Sequence, residues 1–320
     1  MRNFLSFGML LAATSVVSFA GVDQGLMAFV PPGTRIITSV DVSQARNSQF
    51  GQYMLNRINV DDRSFDDLVQ QTGFDPRRDL QDFVFASPGM DSGGRESKFA
   101  FIVRGSFDRR RIKTMASANG ATIQKYHGVD VYVGGANSRG NGFAFLASDV
   151  AVMGDLATVQ EILAHGGTAA PLDPTLQQLV TSVGLNSDAW FASVMPGGFL
   201  ANHVQQETSQ VVPMHALRSI VQSSGGIQFG DTVKLSFDAV TRTAKDAQSI
   251  GDVARFMASF AQMNRQNGAG GEAFASAVDQ MKLDVDGDAV HLALLLPEKT
   301  LEQLADSPPN TTHHSGLQRR

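Results

Sequence analysis

The sequence predicts an α+β protein made of two similar lobes, each a mainly antiparallel sheet packed by helices. Three observations predict this class. Short period-two runs lie next to one another, as hairpins require, instead of alternating singly with helices. An order of strand, helix, paired strands and helix occurs once in each half of the chain. Between the halves lies the glycine- and proline-bearing stretch from Gly166-Gly167 to Pro174, the best linker composition in the chain. The divisions expected are residues 1–20 as a signal peptide, 21–170 as an N-terminal lobe, 171–305 as a C-terminal lobe and 306–320 as a polar, disordered tail. The shared order suggests an internal duplication, although no residue-level repeat is visible.

The first twenty residues place Arg2 before an apolar run, Phe4 to Val17, that ends in Ser18-Phe19-Ala20. One basic residue, a short hydrophobic stretch and a small-x-small ending are the pattern of a cleavable signal, so the protein is expected to be exported, to a periplasm or outside the cell. After Pro31-Pro32-Gly33, residues 34–42 read as a β-branched strand. Ser43 or Ser48 then caps a helix whose Phe50, Met54, Leu55 and Ile58 share one face, and a second helix from Ser64 ends before Gly73. Phe74-Asp75-Pro76-Arg77-Arg78-Asp79-Leu80 reads as a turn whose opposite charges satisfy each other. Phe83 and Phe85, then Phe99, Phe101 and Val103 after a glycine/serine loop at 88–97, mark two strands. A helix over 108–118 carries Ile112 and Met115 inward, and strands follow near 121–127, 129–134, 143–148 and 150–154. Asp155 caps a helix with the stripe Leu156, Val159, Ile162 and Leu163.

The second half opens with a helix near 174–183 and a strand from Trp190 to Val194. A helix is expected from Met214 to Gln222, and a long strand follows in which Val233, Leu235, Phe237 and Ala239 alternate with polar residues. Helix 246–264 has an apolar stripe at Ile250, Val253, Met257 and Phe260, and the glycines at 268–271 are expected to break it. Leu283 to Val290, with Asp286-Gly287 at its centre, reads as a tight hairpin. A calcium loop is the alternative, but the glycine is fourth from Asp284 and the twelfth-position glutamate is missing.

Composition bounds the function more than it names it. Removing residues 1–20 leaves 25 basic against 31 acidic residues, a mild −6, which argues against nucleic acid as a partner. Cysteine is absent, so disulfides, thiolate nucleophiles, cysteine metal sites and a lipid-anchored cysteine are all absent with it. No later apolar run reaches the ~20 residues that span a bilayer. Arg109-Arg110-Arg111 with Lys113 is the densest basic run and reads as a solvated helix face, the alternative being a patch for an anionic partner.

No catalytic residue, metal ligand or cofactor site is identified. His203 and Glu207 are four apart and would share a helix face, but two ligands do not make a zinc site. His313-His314 lies in the tail, and His127, His165, His215 and His291 have no partner at a telling spacing. Neither Gly-x-Ser-x-Gly nor Ser-x-x-Lys occurs in the mature chain, and the glycine stretches at 88–94 and 134–142 lack the context of a phosphate loop. Trp190 and the phenylalanines, 21 against 3 tyrosines, read as core and not as a wet aromatic platform.

Several phrases carry a resemblance: Val40-Asp41-Val42 with Asn47-Ser48-Gln49-Phe50-Gly51, Thr72-Gly73-Phe74-Asp75-Pro76-Arg77-Arg78-Asp79-Leu80, Val152-Met153-Gly154-Asp155 and Asp188-Ala189-Trp190-Phe191. Over residues 30–200 the chain resembles a family of uncharacterised exported bacterial proteins. That resemblance implies a bacterial, exported, two-lobed α+β protein and brings no catalytic residue with it. The expected role is non-enzymatic binding in the cell envelope, to another envelope protein or to a small ligand between the lobes, with no cofactor. The alternative is an exported hydrolase whose site is assembled from sequence-distant residues.

Overall fold

The structure, a computed structural model, describes residues 23–56, 63–90, 97–134, 140–197, 214–266 and 268–306. The expected signal peptide, the tail from 307 on, and with them His313-His314 and the His203/Glu207 pair, lie outside the described residues. In chain order the first half comprises α1 (Gln24–Met27), β1 (Ile36–Asp41), α2 (Val42–Asn47), α3 (Gln49–Asn56), α4 (Arg63–Thr72), α5 (Pro76–Asp79), β2 (Leu80–Met90), β3 (Ser97–Gly105), α6 (Arg109–Ala118), β4 (Thr122–Tyr126), β5 (Val129–Val133), β6 (Asn141–Phe145), β7 (Val150–Asp155) and α7 (Leu156–His165). The second half follows with α8 (Pro174–Gly184), β8 (Ala189–Ser193), α9 (Met214–Ser219), β9 (Ile220–Gln228), β10 (Thr232–Thr241), α10 (Ala244–Met263), α11 (Gly268–Asp279), β11 (Lys282–Asp286), β12 (Ala289–Pro297) and α12 (Glu298–Asp306).

The α+β class holds, but the two halves do not each own a sheet. All twelve strands form one antiparallel sheet in the order β11-β12-β10-β9-β8-β1-β2-β3-β7-β6-β5-β4. The halves meet where β1 pairs with β8, Thr38 opposite Phe191. Outward from that seam, β1-β2-β3-β7-β6 on one side is matched by β8-β9-β10-β12-β11 on the other. The first half adds the β4–β5 hairpin at its far edge.

Aspartates set many of the helix starts. Asp41, Asp75, Asp108, Asp155 and Asp173 each accept backbone N–H bonds in the first turn of α2, α5, α6, α7 and α8. Asp41 therefore does what was expected of Ser43 or Ser48. Ser48 instead separates α2 from α3 and accepts from the Gly51 N–H at 2.8 Å.

Two faces result from strand alternation. On the first, Ile37, Val84, Ala86, Ile102, Val152 and Trp190 pack under Leu26 of α1, Val159 and Ile162 of α7, and Leu176 and Val180 of α8. This core ends near β9, and beyond it Lys234, Ser236, His291 and Ala293 on the same face are exposed. On the second face, α6 covers one end of the sheet through Ile112 against Tyr132, Phe145 and Ala151. The other end is closed by Ala277 of α11 and Leu301 of α12 over Val233 and Leu296.

Three expectations are corrected in the second half. The helix expected to reach Gln222 stops at Ser219, and Ile220–Gln228 is a strand despite Gly225-Gly226. Those glycines are required by close approach: a Cβ on Gly225 would lie 2.7 Å from the Phe191 ring, and one on Gly226 would overlap the Ser187 hydroxyl. The glycines at 268–271 start a helix instead of breaking one, because α11 begins at Gly268. In α10 the fully buried positions are Ala247, Gly251 and Ala261, whereas Phe260 is 51% exposed, with Phe256 and Met263 exposed beside it. Earlier in the chain, the loop expected at 88–97 is shorter, since β2 runs to Met90 and β3 starts at Ser97.

The hairpin at Asp286 forms as expected, without a calcium loop: Asp286 pairs with Ala289, and Gly287 is the residue at positive φ (57°). The two-residue loop is thus Gly287-Asp288, a glycine-first turn. At β4–β5 the loop is His127-Gly128, with φ of 47° and 81°. Both central residues are left-handed there, as this two-residue hairpin turn requires.

Candidate functional site

The second face carries a pocket of about 470 Å³ at the first-half end of the sheet. Its floor is made by Phe143, Met153, Phe101 and Val103, which alternation brings to the same side of β6, β7 and β3. One wall is α6, through Ile112, Met115 and Ala116. The opposite wall is the segment from the end of α4 into β2, through Thr72, Phe74, Pro76 and Leu80, with Phe107 beside it. Phe74 and Phe107 stack with ring centres 5.2 Å apart, and Phe107 meets Phe145 edge-on at 5.6 Å. No charged side chain lines this pocket among the described residues. Met153, at the mouth, is 49% exposed.

The wall is held by the charges of the Thr72–Leu80 string, which do satisfy each other. Asp75 accepts from the Arg77 backbone N–H and from Nε, both at 3.0 Å, and Arg77 Nη2 donates to its other oxygen at 2.9 Å. Arg78 grips Asp79 through two bonds of 2.7 Å, and Asp79 in turn accepts from the Asp75 N–H at 2.8 Å. The hydrogen bonds from Arg77 and Arg78 hold the Asp75 and Asp79 carboxyls below the usual carboxylate range. The apolar residues interleaved with these charges are then free to face the pocket.

The basic run on α6 is not merely a solvated face. The Arg109 guanidinium lies 4.5 Å above the Phe145 ring. Arg111 donates to the Gln70 carbonyl at 2.6 Å, which ties α4 to α6, and Lys113 reaches Asp130 at 4.0 Å. These contacts add to the packing of Ile112 on Tyr132, Phe145 and Ala151, which seats the helix on the sheet.

The other residues singled out from the sequence do not converge. The His165 ring Nδ1 is 2.8 Å from the Glu161 carbonyl, His215 is an exposed residue of α9, and His291 Nδ1 is 2.6 Å from Asp238 on the open part of the first face. Trp190 is 3% exposed and belongs to the core, as expected. Among the described residues no three His, Cys, Asp or Glu side chains are placed to hold a metal ion, and no helix is long and apolar enough to cross a membrane.

A separate charged cluster lies on the first face. Arg104 of β3 donates to Asp23 at 2.9 Å and to Asp149 at 2.8 Å, and stands 3.8 Å from Asp82. Asp82 faces Asp41 across the β1–β2 ladder. Burial first, then the like charges of Asp41 and Asp23, push the Asp82 carboxyl up to about 6 despite Arg104.

No family model matches the chain, and no curated protein matches it. The sequence family is therefore not identified. The chain is similar to two solved structures of TP0453, a Treponema pallidum protein. Its crystal form IV matches at 11% identity over 88% of this chain and 96% of that one, with a TM-score of 0.47. Crystal form I matches at 12% identity over 89% and 98%, with a TM-score of 0.48.

The sequence reading did not find the pocket, because its lining is contributed by residues from Thr72 to Met153 on many elements. Two signals pointed toward it. One is the Phe74/Pro76/Leu80 spacing inside a charged string, and the other is the aromatic run Phe99, Phe101, Val103 on a single strand face.

Proposed function

We propose that this protein is an exported, non-enzymatic binding protein of the bacterial envelope that holds a small apolar ligand in the pocket beneath α6. The observation that carries this reading is the pocket's chemistry: about 470 Å³, within the usual size range of ligand sites, with an aromatic and aliphatic lining and no charge. Such a lining gains from removing apolar surface from water, and the hydroxyls of Thr72 and Tyr132 and the Asn141 amide are its polar groups. The pocket lies within the first half and not between the halves, so the ligand is not sandwiched as the two-lobe expectation supposed. Export rests on the features of residues 1–20.

The test is fluorescence of N-phenyl-1-naphthylamine, an uncharged apolar probe, titrated with the chain from residue 21 onward. Enhanced emission that is lost in Ala116→Trp, which fills the pocket from α6, is the expected result. No enhancement, or enhancement unchanged by Ala116→Trp, refutes the reading.

A further inference from the structure

The pocket floor continues beyond the pocket. Strand registers place Phe143, Met153, Phe101 and Phe85 opposite one another on successive strands β6, β7, β3 and β2. Phe85 is not part of the pocket lining, yet its ring is 5.1 Å from that of Phe101, with Phe99 at 5.7 Å and Phe83 at 6.4 Å from the same ring. All four rings are half-buried and share the second face. Helix α6 packs through Ile112 on Tyr132, Phe145 and Ala151, with Val103 and Phe143 against the same cluster, and from Phe143 the row runs out past this cluster to Phe85. The result is an apolar row that runs across four strands, flanked by Phe83 and Phe99 at its outer end. At ~4.8 Å per strand it extends about 14 Å from Phe143 to Phe85.

From this shape, and resting on the binding reading above, we propose that the ligand is a single unbranched aliphatic chain, lying across β6, β7, β3 and β2 with its inner end in the pocket and its outer carbons on the Phe85 ring. The floor offers ring faces and the adaptable Met153 thioether, and Met153 sits at the centre of the row with its exposed side chain free to settle on a chain of variable length. The polar side chains of the lining are Thr72, which already accepts the Phe74 N–H at 3.1 Å, Tyr132 and Asn141, none of them charged. A compact ligand would fill the pocket and leave the Phe85 side of the row wet, whereas a chain buries both.

The experiment is displacement of N-phenyl-1-naphthylamine by straight-chain alcohols from hexanol to dodecanol. Each added methylene is expected to tighten binding about fourfold along the whole series. Phe85→Ser, outside the pocket, is expected to weaken dodecanol about tenfold, leave hexanol and the probe unchanged, and be rescued by Phe85→Leu. A plateau by octanol, or equal effects of Phe85→Ser on hexanol and dodecanol, overturns the chain proposal while the pocket reading stands. Failure of the probe and of every alcohol to bind overturns both.

Discussion

Replacing Asp82 with Asn should stabilise the protein at neutral pH and lose that advantage in mild acid. Asp82 has a side chain 24% exposed and sits between Asp41 and Asp23, with Arg104 at 3.8 Å as an imperfect partner. Its carboxyl titrates near 6 in the folded chain against 3.8 for a free aspartate, so between these values the folded state binds the proton and the unfolded state does not. Stability contributed by this group is therefore highest below about pH 4 and falls as pH rises through 6. The gap of roughly two pK units corresponds to about 3 kcal/mol, which partial solvent exposure reduces to ~1–2 kcal/mol. Asp82→Asn removes the ionisation and leaves Arg104 its bonds to Asp23 and Asp149. Urea unfolding of both chains at pH 4.5, 5.5, 6.5 and 7.5 should show the variant ~1–2 kcal/mol more stable at the highest pH, with the difference shrinking steadily toward the lowest. A difference independent of pH, or a variant less stable at pH 7.5, would refute the assignment of cost to the ionised carboxyl.

Three further substitutions test the fold that holds the site. Asp155→Ala removes acceptors for the Thr158 N–H at 3.0 Å and the Phe99 N–H at 2.9 Å, so denaturant unfolding should show a loss of ~1–2 kcal/mol, and less than 0.5 would mean the cap is idle. Gly226→Val places a side chain on Ser187 and Val183 of the α8 end, and a melting temperature within a degree of the parent would contradict the close packing of α8 on β9. Arg111→Ala cuts the 2.6 Å bond to Gln70, and probe affinity should fall several-fold with global stability nearly unchanged, because it loosens the α4–α6 contact beside the pocket. A chain that binds the probe normally after Arg111→Ala would show that this tie does not shape the wall.

How much of this was legible in the sequence depended on whether the signal was local. Val129-Val131-Val133 and Val233 to Ala239 alternate because one face is packed, and both strands lie where the pattern put them. Asp155 announces α7 because a cap is chemistry within three residues. β9 was hidden because Gly225 and Gly226 answer to Phe191 and Ser187, neighbours on other elements. The single sheet was hidden for the same reason: the pairing of Thr38 with Phe191 is a long-range fact that no window of sequence contains. The exposed Phe260 shows the converse error, since a helical apolar stripe gives a face without saying what, if anything, that face packs on.

The position of the pocket follows from how differently the two halves cover a common strand plan. In the second half the helices over the sheet bury small residues, Ala247 and Gly251 on α10 and Ala273, Ala275 and Ala277 on α11, and a Cβ on Gly251 would lie 2.7 Å from Val285. Small side chains let two long helices settle close to the strands, and the space is used up. In the first half the corresponding face carries Phe101, Phe143 and Phe145, and the helix over it is the ten-residue α6, with Ile112 as its buried residue. This short helix meets the sheet through Ile112, and Arg109, Arg111 and Lys113 add contacts at Phe145, Gln70 and Asp130. The apolar lining left beside a single short helix, where the second half has two longer ones, is the surface on which the proposed ligand would replace water.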